Sequence, residues 1–324
     1  MPFAAPSPVS AEADVHAARL PWRTRWPAAL LAALALSGCS PADALNFVAW
    51  RDGLAITHSV AYGEGARRTL DVYRPGNAAA LPVVVFFYGG SWQSGNKRLY
   101  RFVGAALARR GYVAVIPDYR VYPEVRHPQF LEDGARAVRW AKDNAARFGG
   151  DPDKVFLMGH SAGAYIAAML ALDPRWLEAA GISPDRDIAG LIGISGPYDF
   201  LPLRQGTLRT IFGGNDPATQ PISHVSSGAP PVLLLTGAKD GIVDPGNASR
   251  LAVRLQAAGD AVTLRTYRWV GHLSVIGTFS PLLRFLAPVE RDVDAFIVKT
   301  VDAKRARAGI ARGTSGSGPA EVLR

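Results

Sequence analysis

The sequence predicts an α/β fold in which a mostly parallel sheet is covered by helices on both faces. Short apolar runs, rich in β-branched and aromatic residues, alternate with longer stretches of helical character along most of the chain. The runs are continuously apolar, as in Val83–Phe87, which is typical of strands buried on both faces. The chain has 324 residues, 48% of them hydrophobic and 19% charged, which suits one large globular domain.

The predicted elements follow one another at the spacing of strand–helix units. The strands are predicted at 69–73, 83–87, 112–116, 155–158, 188–194, 232–235 and 261–267. The helices are predicted at 100–109, 130–147, 162–172, 248–257 and 289–301. A strand followed by a helix and another strand forms a parallel pair, so this order indicates a mostly parallel sheet. The sequence contains no internal repeat.

The N-terminus predicts a secretory signal in residues 1–38. Arginines precede an apolar segment from Pro27 to Leu36, which is too short to span a bilayer (about 20 residues are needed) but suits the core of a signal peptide. The segment ends in Leu36-Ser37-Gly38-Cys39, which resembles a bacterial lipobox. That resemblance implies lipidation of Cys39 and a membrane anchor. The alternative is an incidental thiol behind an ordinary signal peptide.

The residue after the lipobox cysteine is Ser40 rather than aspartate. By resemblance to enterobacterial lipoprotein sorting, we expect the periplasmic face of the outer membrane. Cys39 is also the only cysteine in the chain, which excludes an internal disulfide, a cysteine-based zinc site and a cysteine nucleophile. The expected organisation is a signal peptide (1–38), a lead-in segment (39–67), the main domain (68–302) and a basic, disordered tail (303–324).

The net charge of +9 does not predict a nucleic-acid partner. The tail from residue 303 onward is basic, and the remaining charge is spread along the chain without forming a stripe. We therefore expect a solvated surface rather than a basic binding face. The sequence does not indicate an oligomeric state.

A Gly-x-Ser-x-Gly motif carries the chemistry of this chain. Gly159-His160-Ser161-Ala162-Gly163 lies between a predicted buried strand and a predicted helix. In that setting the pattern is typical of a nucleophile elbow, a sharp strand-to-helix turn that exposes the serine hydroxyl. The sequence therefore predicts Ser161 as a nucleophile. The alternative is a tight turn that happens to contain a serine.

A serine nucleophile needs a base and a group that orients the base, and on this fold the acid and then the histidine follow the serine. Asp240 follows the strand predicted at 232–235, and His272 follows the strand predicted at 261–267. Of the six histidines, only His272 is in the required order. Asp240 is preferred to Asp244, which precedes Pro245 and suits the cap of the next helix.

The adjacent glycines Gly89 and Gly90 come at the end of the buried strand 83–87. Glycine lets the backbone approach a ligand closely, and attack on an ester carbonyl creates an oxyanion that needs main-chain N–H donors. We expect these donors to be Gly89, Gly90 and Ala162, the residue after the nucleophile. The alternative is a glycine-rich turn without a ligand.

From about Arg68 to Val301 the chain resembles α/β-hydrolase carboxylesterases of the group that includes hormone-sensitive-lipase-like esterases, arylformamidases and prenylcysteine methylesterases. The resemblance rests on FFYGGSW, PDYRVYPE, FLEDGARAVRW, FGGDPDKVFLMGHSAGAYIA and GISGPYDF, together with the Asp240 and His272 loops. It implies an α/β-hydrolase fold and a serine esterase without metal or organic cofactor. One departure is Tyr88, which stands where the family usually has the histidine of His-Gly-Gly.

Tyr88, Trp92, His160 and Tyr198 are candidates for the substrate pocket, although His160 also suits a structural role. The connection from Phe200 to Ser227 is the only room for a lid and is short, so we expect an open site for small, short-acyl esters. An arylformamidase-like amide hydrolase remains open, as does a non-catalytic envelope lipoprotein with this fold.

Overall fold

The computed structural model describes residues 41–49 and 51–314, and an eight-stranded sheet forms the centre of this part of the chain. The strands run in the spatial order β1-β2-β4-β3-β5-β6-β7-β8. The pairs β1–β2 and β2–β4 are antiparallel and the other five are parallel. The strand bounds are β1 Leu54–Ala61, β2 Thr69–Pro75, β3 Leu81–Phe87, β4 Val113–Pro117, β5 Gly150–His160, β6 Ile188–Ile194, β7 Val232–Gly237 and β8 Val262–Tyr267.

Helices lie on both faces of the sheet, as the sequence predicts. Successive side chains of a strand point to opposite faces: in β3, the Phe86 ring packs near Tyr100 at the start of one helix, and the Phe87 ring lies close to Gly134 in another. The helix bounds are α1 Pro41–Phe47, α2 Arg101–Arg109, α3 Gln129–Asn144, α4 Ala162–Leu172, α5 Pro174–Glu178, α6 Pro184–Asp187, α7 Gly206–Phe212, α8 Gly246–Ala257, α9 His272–Gly277 and α10 Val289–Thr314.

The central elements are the most completely buried ones. Every residue of β6, β7 and α4 is buried. Helix α4 packs against strands β5 and β6 on one side and against α3 on another. A continuously apolar sequence such as that of α4 suits a helix with no solvent face. The predicted bounds of α4 and β6 are confirmed residue for residue.

Two predicted boundaries of the main domain differ from the structure. Strand β1 pairs with β2, so the sheet begins ahead of the expected start at residue 68. At the other end, α10 continues to Thr314, past the expected start of the tail at 303. The predicted signal peptide and Cys39 lie outside the described residues. Within 41–49 and 51–314, no helix combines the length and the apolar character needed to cross a bilayer.

Candidate active site

Ser161 occupies the turn between β5 and α4 with φ of 56° and ψ of −124°, a conformation rare for a residue with a side chain. The two glycines of the motif make this turn possible. A Cβ at Gly159 would overlap the main chain of Gly163, and a Cβ at Gly163 would overlap the carbonyl group of Phe87 in β3. The predicted nucleophile elbow is therefore present, with its strain fixed by close backbone packing.

Ser161, His272 and Asp240 form one hydrogen-bonded chain. The Ser161 hydroxyl donates to His272 Nε2 at 2.8 Å, and His272 Nδ1 donates to Asp240 Oδ2 at 2.8 Å. All three residues are buried, with Ser161 and Asp240 8% exposed and His272 7% exposed. His272 is the first residue of α9, and Asp240 lies in the loop after β7. The structure thus brings together the three residues predicted as nucleophile, base and orienting acid.

The Asp240 carboxylate is held in its charged form. Burial by itself would raise its pKa, but hydrogen bonds from His272 and from the N–H groups of Val243 and Ile242 keep the pKa below its usual value. Asp244 has a different role: its carboxylate accepts the N–H of Gly246, the first residue of α8, and pairs with Arg250 at 3.2 Å. The preference for Asp240 over Asp244 is supported by this geometry.

The two glycines after β3 are required by the loop itself. A Cβ at Gly90, where φ is +143°, would overlap the Ser94 carbonyl oxygen, and a Cβ at Gly89 would lie 3.0 Å from the Ser161 Cβ. Burial raises the pKa of the Tyr100 hydroxyl beside this loop to about 12, and the hydroxyl contacts His160 Nδ1 at 3.5 Å. The residues of this loop that line the cavity in front of Ser161 are Ser91 and Trp92.

Tyr88 does not line that cavity. Its ring is completely buried and stacks between Tyr100 and Tyr119, at centroid distances of 5.8 and 4.7 Å. Its hydroxyl donates to Asp118 Oδ1 at 2.9 Å and accepts from Arg67 at 3.1 Å. Burial raises the pKa of Tyr88 well above its ordinary value, so the phenol stays neutral. Tyr88 therefore packs against the glycine loop on the side away from the cavity. The prediction that Tyr88 lines the substrate pocket is wrong.

His160 and Tyr198 also lie away from the cavity. His160 is buried beneath His272 and donates from Nε2 to the His272 main-chain oxygen at 3.0 Å. Tyr198 is buried with its hydroxyl packed against Gly193 and Gly196, and within the described chain this hydroxyl has no hydrogen-bond partner. Of the four residues predicted for the pocket, only Trp92 lines the cavity.

The cavity in front of Ser161 has a volume of about 450 Å³. One wall is apolar and comes largely from the connection after β6, which the sequence indicated only as room for a lid. Within this connection, Phe200 stacks on Trp92 at 5.9 Å and Phe212 meets the same ring edge-on at 4.8 Å. The apolar lining residues are Trp92, Pro197, Phe200, Leu201, Pro202, Leu203, Leu208, Ile242 and Val243.

A polar rim faces this apolar wall. Arg250 on α8 bridges Asp199 and Asp244, which come from two different loops around the cavity, and it also donates to the Asp199 main-chain oxygen. Reasoning from the sequence missed this bridge, because Arg250 is 51 residues from Asp199 and 6 from Asp244, and only the loop paths bring the three together. The site therefore offers a buried serine, an aligned base and a cavity that is apolar on one side and polar on the other.

Comparisons with known proteins agree on a family. Residues 70–255 match the BD-FAE family model. The isoprenylcysteine alpha-carbonyl methylesterase of Arabidopsis thaliana is 30% identical over 243 residues, which cover 67% of this chain and 56% of that protein. Esterase LipQ of Mycobacterium tuberculosis is 32% identical over 231 residues, or 64% and 54% of the two chains. The chain thus spans about half the length of the curated relatives it matches.

Solved structures give the same fold. Thermogutta terrifontis esterase 2, solved in a form phosphoramylated by tabun, is 27% identical to this chain. It superposes with a TM-score of 0.63, covering 77% of this chain and 96% of that one. A truncated carbohydrate esterase from gut microbiota has a TM-score of 0.67 at 19% identity, with coverage of 78% and 98%, and supports the fold alone. The α/β-hydrolase fold predicted from the sequence is confirmed.

Proposed function

The chain belongs to the BD-FAE family, and from this membership and its aligned triad we propose that it is a serine carboxylesterase. The observation that carries the proposal is the Ser161–His272–Asp240 chain, with both of its hydrogen bonds at 2.8 Å. Several relatives and structural neighbours are named esterases or carboxylic ester hydrolases, which supports the same reaction class.

The proposed reaction proceeds through an acyl-enzyme. Ser161 Oγ attacks the ester carbonyl carbon while His272 Nε2 takes the hydroxyl proton, and Asp240 stabilises the resulting imidazolium. The tetrahedral intermediate collapses when the ester C–O bond breaks and His272 returns the proton to the leaving alcohol. Water then gives a proton to His272 and attacks the acyl-serine, and collapse of the second intermediate releases the acid and restores Ser161.

We assign the oxyanion donors to the N–H groups of Gly90, Ser91 and Ala162. Across the described residues, these three groups donate to no protein acceptor, and Ser91 and Ala162 line the cavity beside Ser161. The sequence prediction named Gly89 where this assignment has Ser91, because Ser91 lines the cavity and Gly89 does not. Preset N–H donors stabilise the developing negative charge without reorganisation during the reaction.

We propose short-acyl esters, of about two to six carbons, as substrates. Trp92 and Phe200 line the cavity and Phe212 packs edge-on against Trp92, so we expect these bulky rings to limit the acyl length that fits. Thermogutta terrifontis esterase 2, at 26–28% identity, has been solved with butyrate and with propionate bound, which supports a short acyl group here. A screen of aryl esters from C2 to C16, with a formyl-amide substrate included, tests acyl length and ester-versus-amide preference together.

A fluorophosphonate probe tests the catalytic proposal. It should label the wild-type protein at Ser161, identified by peptide mass spectrometry, and fail to label Ser161→Ala. The matched control is Ser195→Ala, which removes the hydroxyl of another buried serine with positive φ that lies outside the triad. Absence of both labelling and turnover in a folded wild-type protein would support the non-catalytic alternative instead.

We further propose that Cys39 carries a lipid anchor and that the mature protein lies on the periplasmic face of the outer membrane. The support is the Leu36-Ser37-Gly38-Cys39 pattern followed by Ser40. Intact-mass analysis of protein made in a bacterial host should show an acylated N-terminal cysteine that Cys39→Ser abolishes. An uncleaved, unmodified chain would contradict the anchor, and fractionation with the inner membrane would contradict the location alone.

A further inference from the structure

Three large apolar side chains stand exposed beside the catalytic histidine. Ile242, Trp269 and Leu273 are 65%, 62% and 69% exposed. Ile242 also lines the cavity, and Leu273 directly follows His272. Single exposed apolar residues are common on protein surfaces, but three of them in the two segments that carry Asp240 and His272 indicate a contact surface.

Ile242 and Trp269 belong to two loops that pack together, and Leu273 lies in the first turn of α9, which follows the second loop. The loop after β7 and the loop after β8 are joined by main-chain hydrogen bonds, from Ala238 N to the Tyr267 oxygen at 2.9 Å and from Lys239 N to the Val270 oxygen at 3.1 Å. The Asp240–His272 hydrogen bond joins the same loops in the triad. Lys239 of the first loop also packs over the Trp269 ring of the second, so exposed side chains of the two loops are adjacent. We call the exposed residues of these segments the mouth face and define it as Lys239, Ile242, Arg268, Trp269 and Leu273.

The charges of the mouth face are all positive. Lys239 Nζ lies 4.9 Å and the Arg268 guanidinium 4.7 Å from the Trp269 ring centroid, so the two cations flank the indole. Within the described chain, neither cation forms an ion pair with a carboxylate. The two loops contain two acids: Asp240 is buried and bonded to His272, and Asp244 pairs with Arg250 at 3.2 Å.

We propose that the mouth face docks on an anionic lipid surface. Tryptophan is suited to the interface between headgroups and acyl chains, since its ring is apolar and its N–H is polar. Leucine and isoleucine beside it can enter the acyl region, while lysine and arginine are attracted by anionic headgroups. The charge pattern selects this occupant over a neutral bilayer. Docking would place the cavity mouth, through Ile242, at the lipid surface, and it does not depend on the esterase activity.

A single-site fluorescent probe tests the docking. The full chain carries Cys39→Ser and Ser161→Ala as a background. Leu273→Cys then introduces one cysteine, which is labelled with an environment-sensitive dye. The labelling is specific to this position because Cys39 is the only native cysteine. The matched control places the dye through Val298→Cys on α10, where the native side chain is 50% exposed. Circular dichroism confirms the fold of both.

With vesicles of phosphatidylglycerol, the dye at 273 should shift to the blue and become protected from an aqueous quencher, while the dye at 298 should not. Lys239→Glu combined with Arg268→Glu should raise the lipid concentration for half-maximal shift by about tenfold or more. An absent shift at 273, equal shifts at 273 and 298, or equal shifts with phosphatidylcholine would overturn the proposal. So would a shift that depends on protein concentration without lipid, because it would assign the face to a second copy of the chain.

Discussion

His160 Nε2 donates a hydrogen bond of 3.0 Å to the main-chain oxygen of His272, so the residue before the nucleophile holds the backbone of the base. The two imidazole rings lie 4.9 Å apart. Burial, reinforced by the neighbouring His272, lowers the pKa of His160 to about 3. His160 is therefore neutral at any working pH, and its second nitrogen contacts the Tyr100 hydroxyl at 3.5 Å.

Replacing His160 by phenylalanine keeps the ring and removes this donor. A buried carbonyl left unpaired costs about 1–3 kcal/mol, so we expect kcat to fall roughly ten- to a hundredfold as His272 loses its alignment. KM should change little, because His160 does not line the cavity. The pKa values of the pH–rate profile should be unchanged, since His160 does not titrate in the working range. Wild-type kcat in a folded His160→Phe variant would rule out the positioning role.

Asp240→Asn should be far more damaging than Asp244→Asn. An amide at 240 no longer stabilises the imidazolium or fixes the histidine tautomer, for which a loss of about 10⁴ in kcat is typical. Asp244 contacts Arg250 and the start of α8 instead, so Asp244→Asn should stay within about tenfold of wild type. Turnover of a short aryl ester measures both variants. The reverse order would mean that the acid is assigned to the wrong residue of this loop.

Tyr88→Phe tests the side chain that supports the glycine loop, and Gly90→Val tests the backbone geometry of the same loop. Tyr88→Phe removes hydrogen bonds to Asp118 and Arg67, and a typical loss of about 0.5–1.5 kcal/mol per bond sets an upper limit on the rate effect of the order of a hundredfold. Gly90→Val places a Cβ on the Ser94 carbonyl oxygen at a φ of +143°, so the loop must shift. Losing an oxyanion donor costs about 10²–10³ in turnover.

Both variants need circular dichroism to confirm folding. A Tyr88→Phe loss beyond a hundredfold would place the phenol in the chemistry, which its burial and its bond to Asp118 argue against. A Gly90→Val protein with full activity would remove Gly90 from the donor set.

Phe200→Ala should lengthen the acyl chain that the cavity accepts. The Phe200 ring stacks on Trp92 and closes the apolar end of the cavity, so its removal opens space there. We expect the ratio of kcat/KM for C8 over C4 aryl esters to rise by about tenfold or more, since burying about two further CH₂ groups at about 0.8 kcal/mol each already corresponds to roughly tenfold. Leu282→Ala, a truncation at an exposed position outside the cavity, is the matched control. An unchanged ratio would show that Phe200 does not limit acyl length.

We expect the buried His127 to contribute to the loss of folding stability at acid pH. Burial lowers its pKa to about 4, from an ordinary value of 6.5, and its Nε2 has no hydrogen-bond partner among the described residues. The unfolded chain therefore binds an extra proton between pH 6.5 and about 4, so stability from this residue is complete above 6.5 and is lost as the pH falls towards 4.

His127→Phe removes this protonation while keeping the ring contacts with Phe130 and Phe212. Between about pH 7.5 and pH 4.5, the free energy of unfolding in urea should fall less for the variant than for the wild type. The carboxylates titrate in both proteins, so the difference between the two curves isolates the histidine. Parallel curves would contradict the prediction.

The sequence predicts the elbow and the triad well because local rules fix them. The Gly159 and Gly163 positions, the buried strand before Ser161 and the order of Asp240 and His272 are all visible along the chain. The pocket residues were harder to predict, since whether Tyr88 or Tyr198 faces the cavity depends on loop paths that a strand pattern does not encode. Strand β1 was missed because its side chains are half-buried or exposed and several are polar.

The role of the adjacent glycines shows the same limit. The glycine pair correctly predicts a close approach of the backbone, but the group that excludes a side chain at Gly90 is the Ser94 carbonyl of the same loop, which the sequence does not reveal. The sequence also gave no reason to connect Tyr88 with Asp118, which lies 30 residues away and is brought beneath the loop by β4.

The stack of Tyr100, Tyr88 and Tyr119 beneath the glycine loop has an optical consequence. Burial raises the pKa of all three phenols, so none of them gives the red-shifted absorption of a phenolate while the fold is intact at moderately alkaline pH. Opening of the packing returns their ionisation toward the ordinary pH range, where it adds phenolate absorption. The ultraviolet spectrum at alkaline pH is thus a label-free gauge of whether the buried tyrosines of the protein, these three among them, are still packed.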